Sequence, residues 1–315
     1  LSFSAFLGGI AENFKSNFLY NGNDISVVEA DEYDRSFLNL SPDWAVITST
    51  DADHLDIYGD KATIEQGFRD FANLIPSDQQ LFVRKGINIG RPAKTYAVNE
   101  EADYYSDNIR EIGDKIYFDF HTPTEEIDDF EWEIPGIHNV ENATVAIAIL
   151  HNLGVDFETL KQGIANFKGI KRRYTKHRFE NGKIYIDDYA HHPTELNAVI
   201  GSIKTFYPEK KLLVVFQPHL FSRTRDFADG FAESLDKADE LILLDIYPAR
   251  ELQENFEGVT SSWLAEKLKL KNKEVSSLGE AFNRIKEKDF DVLLTVGAGN
   301  IDTLYDGIIE WLSER

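Results

Sequence analysis

Histidines, carboxylates and arginines gather at two places in the second half of the chain, each just after a short apolar run. Asp187 to Glu195 reads DDYAHHPTE, and Gln217 to Arg225 reads QPHLFSRTR. Histidine exchanges protons near neutral pH, and arginine binds carboxylates through a planar fork. We therefore interpret the first run as binding a metal or orienting a nucleophile, and the second as binding a carboxylate. A helix-capping loop with incidental histidines remains the alternative for the first run.

Two acidic clusters follow apolar runs in the first half. Glu29 to Asp34 reads EADEYD, and Asp51 to Asp56 reads DADHLD. Carboxylates at the ends of buried strands can hold Mg²⁺, and a neutral histidine such as His54 can add a nitrogen ligand. If the two strands are neighbours in a parallel sheet, both clusters reach one site. Solvated acidic turns remain the alternative, since the whole chain is acidic.

Two further clusters could bind a nucleotide. Asn139 and Asn142 lie three residues apart at a predicted helix start, next to His138, so both carboxamides face one side. Carboxamides offer the donors and acceptors that an adenine edge needs. Lys171-Arg172-Arg173 is a basic triplet near a predicted domain boundary and could bind phosphate. The alternative for the asparagines is that Asn139 caps the helix, and the alternative for the basic triplet is a solvated linker.

Composition limits the classes of protein that fit. Net charge is −22, from 55 acidic and 33 basic residues, which disfavours nonspecific binding of nucleic acid or anionic membranes. No apolar stretch approaches the ~20 residues that span a bilayer. The chain has no cysteine, so it has neither disulfides nor thiolate zinc sites, and a cytoplasmic location fits. It also has no methionine, which indicates a fragment of a longer protein.

The apolar patterns predict an α/β protein of two domains, residues 1–175 and 176–315. The first shows an α/β rhythm, followed from Leu81 to about Glu133 by alternating runs that predict a small extra antiparallel sheet. In the second, strands and helices alternate, which is typical of a doubly wound, Rossmann-like parallel sheet. The predicted strands of this second domain cover residues 183–187, 212–216, 241–245 and 292–296.

Taken in order, the clusters resemble the Mur ligase family over essentially the whole chain. The matching motifs are EADEYDRSF (29–37), TSTDADHLDIY (48–58), PGIHNVENA (135–143), DDYAHHPTE (187–195) and FQPHLFSRTRDF (216–227). The resemblance implies a central ATPase domain truncated at its start, followed by a Rossmann-like domain. It also implies ATP-dependent amide-bond formation in peptidoglycan precursor synthesis. The pattern is most similar to the branch whose substrates are UDP-N-acetylmuramate and L-alanine.

The resemblance also implies roles for individual residues, with ATP and Mg²⁺ as cofactors. Metal ligands would be Glu29 and His54. Nucleotide contacts would come from His138, Asn139, Asn142, Arg173 and Asp188. Catalysis would involve His191 and His192 with Asp188 and Arg173. The substrate carboxylate would face His219, Arg223 and Arg225.

Departures from the family pattern qualify these roles. The phosphate-binding loop expected upstream of Ala5 to Gly9 is missing, so we expect the fragment alone to be inactive. Leu220 stands where relatives often carry an arginine. Phe68 and Arg69 fall where some members have a carbamylated lysine, which the alanine-adding branch does not need. Rival interpretations are a tripeptide-adding recycling ligase, a folylpolyglutamate synthetase and a non-catalytic nucleotide-binding module. The oligomeric state is unknown from sequence.

Overall fold

A computed structural model describes residues 2–51, 58–113, 115–134 and 136–314. The chain separates into two compact units, Leu1–Lys168 and Gly169–Arg315. The basic triplet at 171–173 therefore belongs to the second unit, whereas the sequence prediction places the boundary after residue 175. No helix among the described residues combines the length and apolarity needed to cross a membrane.

The first unit contains two sheets. A three-stranded sheet has the order β2-β1-β3, and a six-stranded sheet has the order β4-β5-β6-β7-β8-β9. The strands are β1 Phe3–Ala11, β2 Ser16–Asn21, β3 Ile25–Val28, β4 Ala45–Ile47, β5 Leu81–Arg84, β6 Lys94–Val98, β7 Tyr104–Ile112, β8 Lys115–His121 and β9 Glu126–Trp132. Its helices are α1 Lys61–Asn73, α2 Ile137–Asn152 and α3 Phe157–Asn166, with 3-10 turns at Tyr33–Asn39 and Asp78–Gln80.

The prediction of a small extra antiparallel sheet at residues 81–133 is wrong in one respect, because these strands belong to the larger six-stranded sheet. Strands β4 to β7 pair in parallel, and β7, β8 and β9 continue the same sheet in antiparallel order. The alternation seen from Lys115 onward is real, because one face of this part is more exposed than the other. Local alternation cannot reveal that the strands join a larger parallel sheet.

The prediction of a buried strand near Ile25 is also wrong. In the part of the chain that the structure describes, β3 is an edge strand paired with β1, and Val27 and Val28 are 48% and 47% exposed. β4 lies in the other sheet, with Ala45 and Ile47 buried. The two acidic clusters therefore do not follow neighbouring strands of one parallel sheet.

The second unit has a six-stranded sheet of order β10-β11-β15-β12-β13-β14. Its strands are β10 Thr175–Arg178, β11 Ile184–Asp188, β12 Leu212–Phe216, β13 Glu240–Leu244, β14 Lys273–Ser276 and β15 Val292–Val296. All pairings are parallel except that of β10 with β11. Its helices are α4 Pro193–Phe206, α5 Phe221–Asp226, α6 Ala228–Leu235, α7 Ser261–Lys267, α8 Leu278–Lys286 and α9 Tyr305–Ser313, with 3-10 turns at Gln253–Asn255 and Asn300–Leu304.

Helices cover both faces of this sheet, so the predicted doubly wound fold is confirmed. Successive side chains of a strand point to opposite faces. In β12, Leu212, Val214 and Phe216 join a core with α4, α6 and α7. Leu213 and Val215 join a separate core with α8 and α9. Strands buried on both faces explain why these segments are continuously apolar in the sequence.

Candidate functional site

The carboxyl ends of β11, β15, β12 and β13 lie along one edge of the second sheet, because these strands are parallel neighbours. Four loops leave this edge, at 189–192, 297–299, 217–220 and 245–252. Doubly wound sheets bind their ligands at this edge, where neighbouring connections run in opposite directions. Both histidine-containing motifs of the sequence fall in these loops.

His191 and His192 have different surroundings although they are adjacent. His192 is the N-cap residue of α4. Its Nδ1 accepts a hydrogen bond from the Thr194 amide at 3.4 Å, and the Glu195 side chain completes a capping box by accepting from the His192 amide. The ring also packs edge-on against Phe227. His191 Nδ1 lies 3.0 Å from the carbonyl of Tyr189. A carbonyl only accepts, so Nδ1 carries a proton, and the Glu195 carboxylate lies 3.5 Å from the same nitrogen. In the neutral ring, Nε2 therefore has the lone pair.

His219 faces His191 from the loop after β12, with ring centroids 6.1 Å apart. Its Nδ1 lies 3.4 Å from Arg223 Nη1, and arginine only donates, so the His219 proton is on Nε2. The ring stacks on Tyr247. Burial, followed by the positive charge of Arg223, lowers the pKa of His219 to about 4, so the ring is neutral at physiological pH.

Arg223 and Arg225 do not act as a pair. Arg223 is buried beside His219, whereas Arg225 is exposed, forms an ion pair with Asp226 at 2.7 Å and lies over Phe256. Leu220 is buried with a φ of 68°, and its amide bonds to the Tyr247 carbonyl at 2.9 Å. Of the three predicted carboxylate-binding residues, only His219 and Arg223 are therefore brought together.

The Asp188 carboxylate is buried inside the second unit. Its two carboxylate oxygens accept the backbone amides of Ala190 at 2.7 Å and Tyr174 at 2.8 Å. Burial raises the pKa of Asp188 to about 6 despite these amide donors. The contacts link the start of the histidine loop to the segment that carries Arg173, so this carboxylate organises the backbone around both.

Arg173 is exposed, with its guanidinium 5.7 Å from the Tyr189 ring centre and Nη1 4.0 Å from Glu195 Oε1. The same Glu195 carboxylate accepts the backbone amides of His191 and His192. An exposed guanidinium at the ligand-binding edge of the sheet is available to bind phosphate.

In the first unit, the predicted nucleotide-binding residues lie in the first two turns of α2. Gly136 precedes the helix with a φ of 110°, a conformation that favours glycine. His138 and Asn139 are partly buried and Asn142 is exposed. Nearby, Glu141 pairs with Arg84 at 2.8 Å. Asn139 and Asn142 share one face of α2, as their spacing predicts.

The predicted metal site is only partly described. Glu29 is exposed and accepts a hydrogen bond from the Gly8 amide at 2.6 Å. His54 lies outside the described residues. No group of three or more histidine, aspartate or glutamate side chains that could hold a metal occurs in the part of the chain that the structure describes. Glu29 alone is not a metal site, so Mg²⁺ binding stays a prediction.

Comparison with known proteins identifies the family. Residues 12–150 match the Mur ligase middle domain, and residues 172–299 match the Mur ligase glutamate ligase domain. Over 314 residues the chain is 46% identical to UDP-N-acetylmuramate--L-alanine ligase of Flavobacterium psychrophilum, which covers 99% of this chain and 69% of that protein. The chain belongs to the Mur ligase family.

Two further comparisons agree with this result. The UDP-N-acetylmuramate--L-alanine ligase of Flavobacterium johnsoniae is 45% identical over 312 residues, covering 99% of this chain and 69% of that protein. The crystal structure of UDP-N-acetylmuramate-alanine ligase from Thermotoga maritima superposes with a TM-score of 0.78 at 24% identity, covering 98% of this chain and 69% of that chain. At that identity the superposition establishes the Mur ligase fold alone.

The structure adds contacts that the motifs of this Mur ligase did not indicate. Tyr247 supports the His219 ring, and Glu251 accepts both the amide and the hydroxyl of Ser222 at the start of α5. Arg172 lies against Tyr189 and contacts Asp187. Tyr247 could have been predicted from the sequence, because it lies in a polar loop directly after a predicted strand that ends near residue 245. The contacts of Arg172 depend on tertiary structure and have no local signature.

Proposed function

We propose that this chain is the greater part of an ATP-dependent ligase that joins the amino group of L-alanine to the carboxylate of UDP-N-acetylmuramate. The observation that carries the proposal is the 46% and 45% identity, along nearly the whole chain, to enzymes of that name. The reaction would supply a peptidoglycan precursor for cell-wall growth and division. We place it in the cytoplasm, where ATP and nucleotide-linked sugars are available.

The chemistry divides into two balanced steps. The terminal phosphoryl group of ATP passes to the substrate carboxylate, giving an acyl phosphate and ADP. The alanine nitrogen then attacks the acyl carbon, a C–N bond forms, and the C–O bond to phosphate breaks, so phosphate leaves with the electron pair. An ammonium group must lose a proton before it can attack, so the second step needs a base.

His191 and His219 supply complementary groups for the second step. His191 offers a lone pair on Nε2, because its Nδ1 proton is held by the Tyr189 carbonyl. His219 offers an N–H on Nε2, because its Nδ1 faces Arg223. We assign His191 as the acceptor of the amine proton. His219, with Arg223, would bind the alanine carboxylate or the acyl phosphate oxygens. Arg225 would serve only as an outlying contact.

Each unit carries residues suited to contacting a nucleotide. Asn139 and Asn142, with His138, present hydrogen-bonding groups on one face of α2 that suit an adenine ring. Arg173 would bind phosphate oxygens, and Asp188 would act by holding the backbone near Arg173. His192 would act by beginning α4 rather than by touching substrate. The described residues do not form a Mg²⁺ site, so no step is assigned to Glu29 or to a metal.

The proposal is tested by identifying the product. The intact ligase that carries this chain would be incubated with ATP, Mg²⁺, UDP-N-acetylmuramate and an equimolar mixture of L-alanine and the cell-wall tripeptide, and the products would be resolved by mass spectrometry. The alanyl product is expected in large excess. A predominant tripeptide product would assign the chain to the recycling branch, and a nucleotide-binding protein without turnover would give neither product.

A further inference from the structure

The guanidinium of Arg172 connects the ends of two neighbouring strands. It donates to the carbonyl of Gly297, just after β15, and its Nε lies 3.3 Å from Asp187 Oδ2 in β11. Its Nη1 is 3.9 Å from Asp302. Only 12% of the side chain is exposed, so solvent screens these contacts weakly. Arg172 is thus fixed at the edge of the sheet where the ligand-binding loops begin.

Tyr189 is fixed by Arg172 in two ways. The guanidinium carbon lies 5.1 Å from the centre of the Tyr189 ring, a cation–π distance. In addition, the Tyr189 amide donates to the Arg172 carbonyl at 2.7 Å. The first contact depends on the arginine side chain and the second only on the backbone. Substitution of Arg172 therefore removes the closer of two guanidinium contacts to the ring, since Arg173 lies at 5.7 Å, and leaves the backbone bond available.

Tyr189 in turn holds His191. Its carbonyl accepts from His191 Nδ1 at 3.0 Å, and the two rings meet edge to face with centroids 5.4 Å apart. Both contacts define the direction of the His191 ring, and the first defines its tautomer. A small displacement of Tyr189 would remove the close acceptor of the Nδ1 proton. It would leave the Glu195 carboxylate, whose Oε2 is 3.5 Å from Nδ1, longer than an ordinary hydrogen bond, so the imidazole could rotate.

We propose that Arg172 is a positioning residue that acts through Tyr189 to keep the His191 imidazole in its Nδ1-protonated form and aimed at His219. The kinetic consequence rests on the proposed function, since it takes His191 as the base. The prediction about the tautomer does not rest on the proposed function, because the tautomer can be measured without any substrate. Among the described residues, the Arg172 side chain contacts Asp187, Tyr189, Gly297 and Asp302, and it is assigned no direct part in the reaction.

Nitrogen-15 NMR of the ring nitrogens tests the structural part on this 315-residue chain. The variants are Arg172→Ala and Arg172→Lys, with His191→Gln to assign the signal. Lysine keeps a positive charge beside Asp187 but lacks the planar guanidinium that lies on the ring and reaches several acceptors. The matched control is Arg178→Ala, which removes an arginine–tyrosine contact, with Tyr207, at the opposite end of β10 and β11.

The parent chain and the Arg178→Ala chain are expected to show a single Nδ1-protonated His191. Both Arg172 variants are expected to show averaged tautomers at His191. The signal of His177, whose ring packs on Tyr185 and Tyr305 in the same unit, is expected to stay in place, which reports an intact fold. If Arg172→Ala fails to fold, Arg172→Lys carries the test. A folded Arg172→Lys chain with an unchanged His191 signal would overturn the proposal.

Kinetics of the intact ligase test the functional part. Both Arg172 variants are expected to lose at least about tenfold in kcat, because a slightly misplaced base is a poor one, with the KM for ATP within about twofold. An equal fall in kcat for Arg178→Ala would contradict the proposed link between the His191 tautomer and kcat. An unchanged kcat in a variant whose tautomer has changed would contradict it as well. Absence of alanine-dependent turnover in the parent ligase would refute the proposed function and leave the NMR result valid.

Discussion

The imidazoles of His191 and His219 face each other across the loops after β11 and β12, with centroids 6.1 Å apart and planes inclined at 66°. Their protons are on different nitrogens, since Tyr189 accepts from His191 Nδ1 and Arg223 donates to His219 Nδ1. One ring can therefore accept a proton where the other can donate a hydrogen bond. This arrangement is the geometric basis for assigning amine deprotonation to this edge of the sheet.

Substitution of His219 should flatten part of the acid dependence of stability. The folded pKa is about 4 and the ordinary value is 6.5, so between these values the unfolded chain binds more protons. The contribution of His219 to stability is therefore lost as pH falls from about 6.5 to 4. Over that range the free energy of unfolding, measured by urea unfolding, should fall by less in His219→Gln than in the parent chain. After allowance for solvent screening, we expect the difference to be about 1 to 2 kcal/mol. Parallel curves for the two proteins would contradict it.

Asp188 should have the opposite dependence. Its folded pKa is about 6 and its ordinary value 3.8, so between these values the folded chain binds more protons, and stability falls as pH rises. Relative to the parent chain, Asp188→Asn should therefore be more destabilised at pH 4.5 than at pH 7.5, by about 2 kcal/mol. The control is Asp289→Asn, whose side chain is 93% exposed. A difference that is constant with pH would disprove the assignment.

Gly297→Ala should damage the second unit severely. A β-carbon there would lie 2.5 Å from the carbonyl oxygen of Gln217, and the residue has a φ of 144°. We expect a loss of about 2 to 4 kcal/mol in the free energy of unfolding. Gly279→Ala is the matched control, because a β-carbon in α8 meets nothing within 4 Å, and it should be neutral or stabilising. Equal effects of the two substitutions would show that the close approach is not constraining.

Asn139→Ala and Asn142→Ala should weaken nucleotide binding in the intact ligase. Each would remove hydrogen bonds to the adenine ring, so the KM for ATP should rise about three- to tenfold while the KM for L-alanine changes little. Asn166→Ala is a suitable control, because this residue ends α3 and its side-chain amide donates to the Gln162 carbonyl one turn earlier. A selective rise in the KM for L-alanine would place these residues elsewhere in the mechanism.

Most of the second unit could be predicted from the sequence, because its strands are buried on both faces and its helices are amphipathic. The predicted strands 183–187, 212–216 and 292–296 agree with β11, β12 and β15 within one residue. β14 was missed, since its four residues, Lys273–Ser276, lie at the sheet edge and are mostly polar or partly exposed.

The site was less predictable than the fold. Motif order identified both histidine loops, but it could not show that His192 begins a helix or that Asp188 points inward. Those outcomes depend on backbone amides that lie close only after folding. Arg172 was noted as part of a basic triplet, and its contacts with Gly297 and Asp302 span more than 100 residues of chain. The metal prediction for Glu29 stays untested, and that for His54 lies outside the described residues.

We propose that this chain belongs to a ligase that uses ATP to attach L-alanine to UDP-N-acetylmuramate. The most direct measurement is phosphate release by the intact ligase with ATP, Mg²⁺ and UDP-N-acetylmuramate, with and without L-alanine. We expect sustained release only when all substrates are present, and release reduced by about a hundredfold or more in His191→Gln. Release that does not depend on L-alanine, or no release with any amino acid or tripeptide, would contradict it.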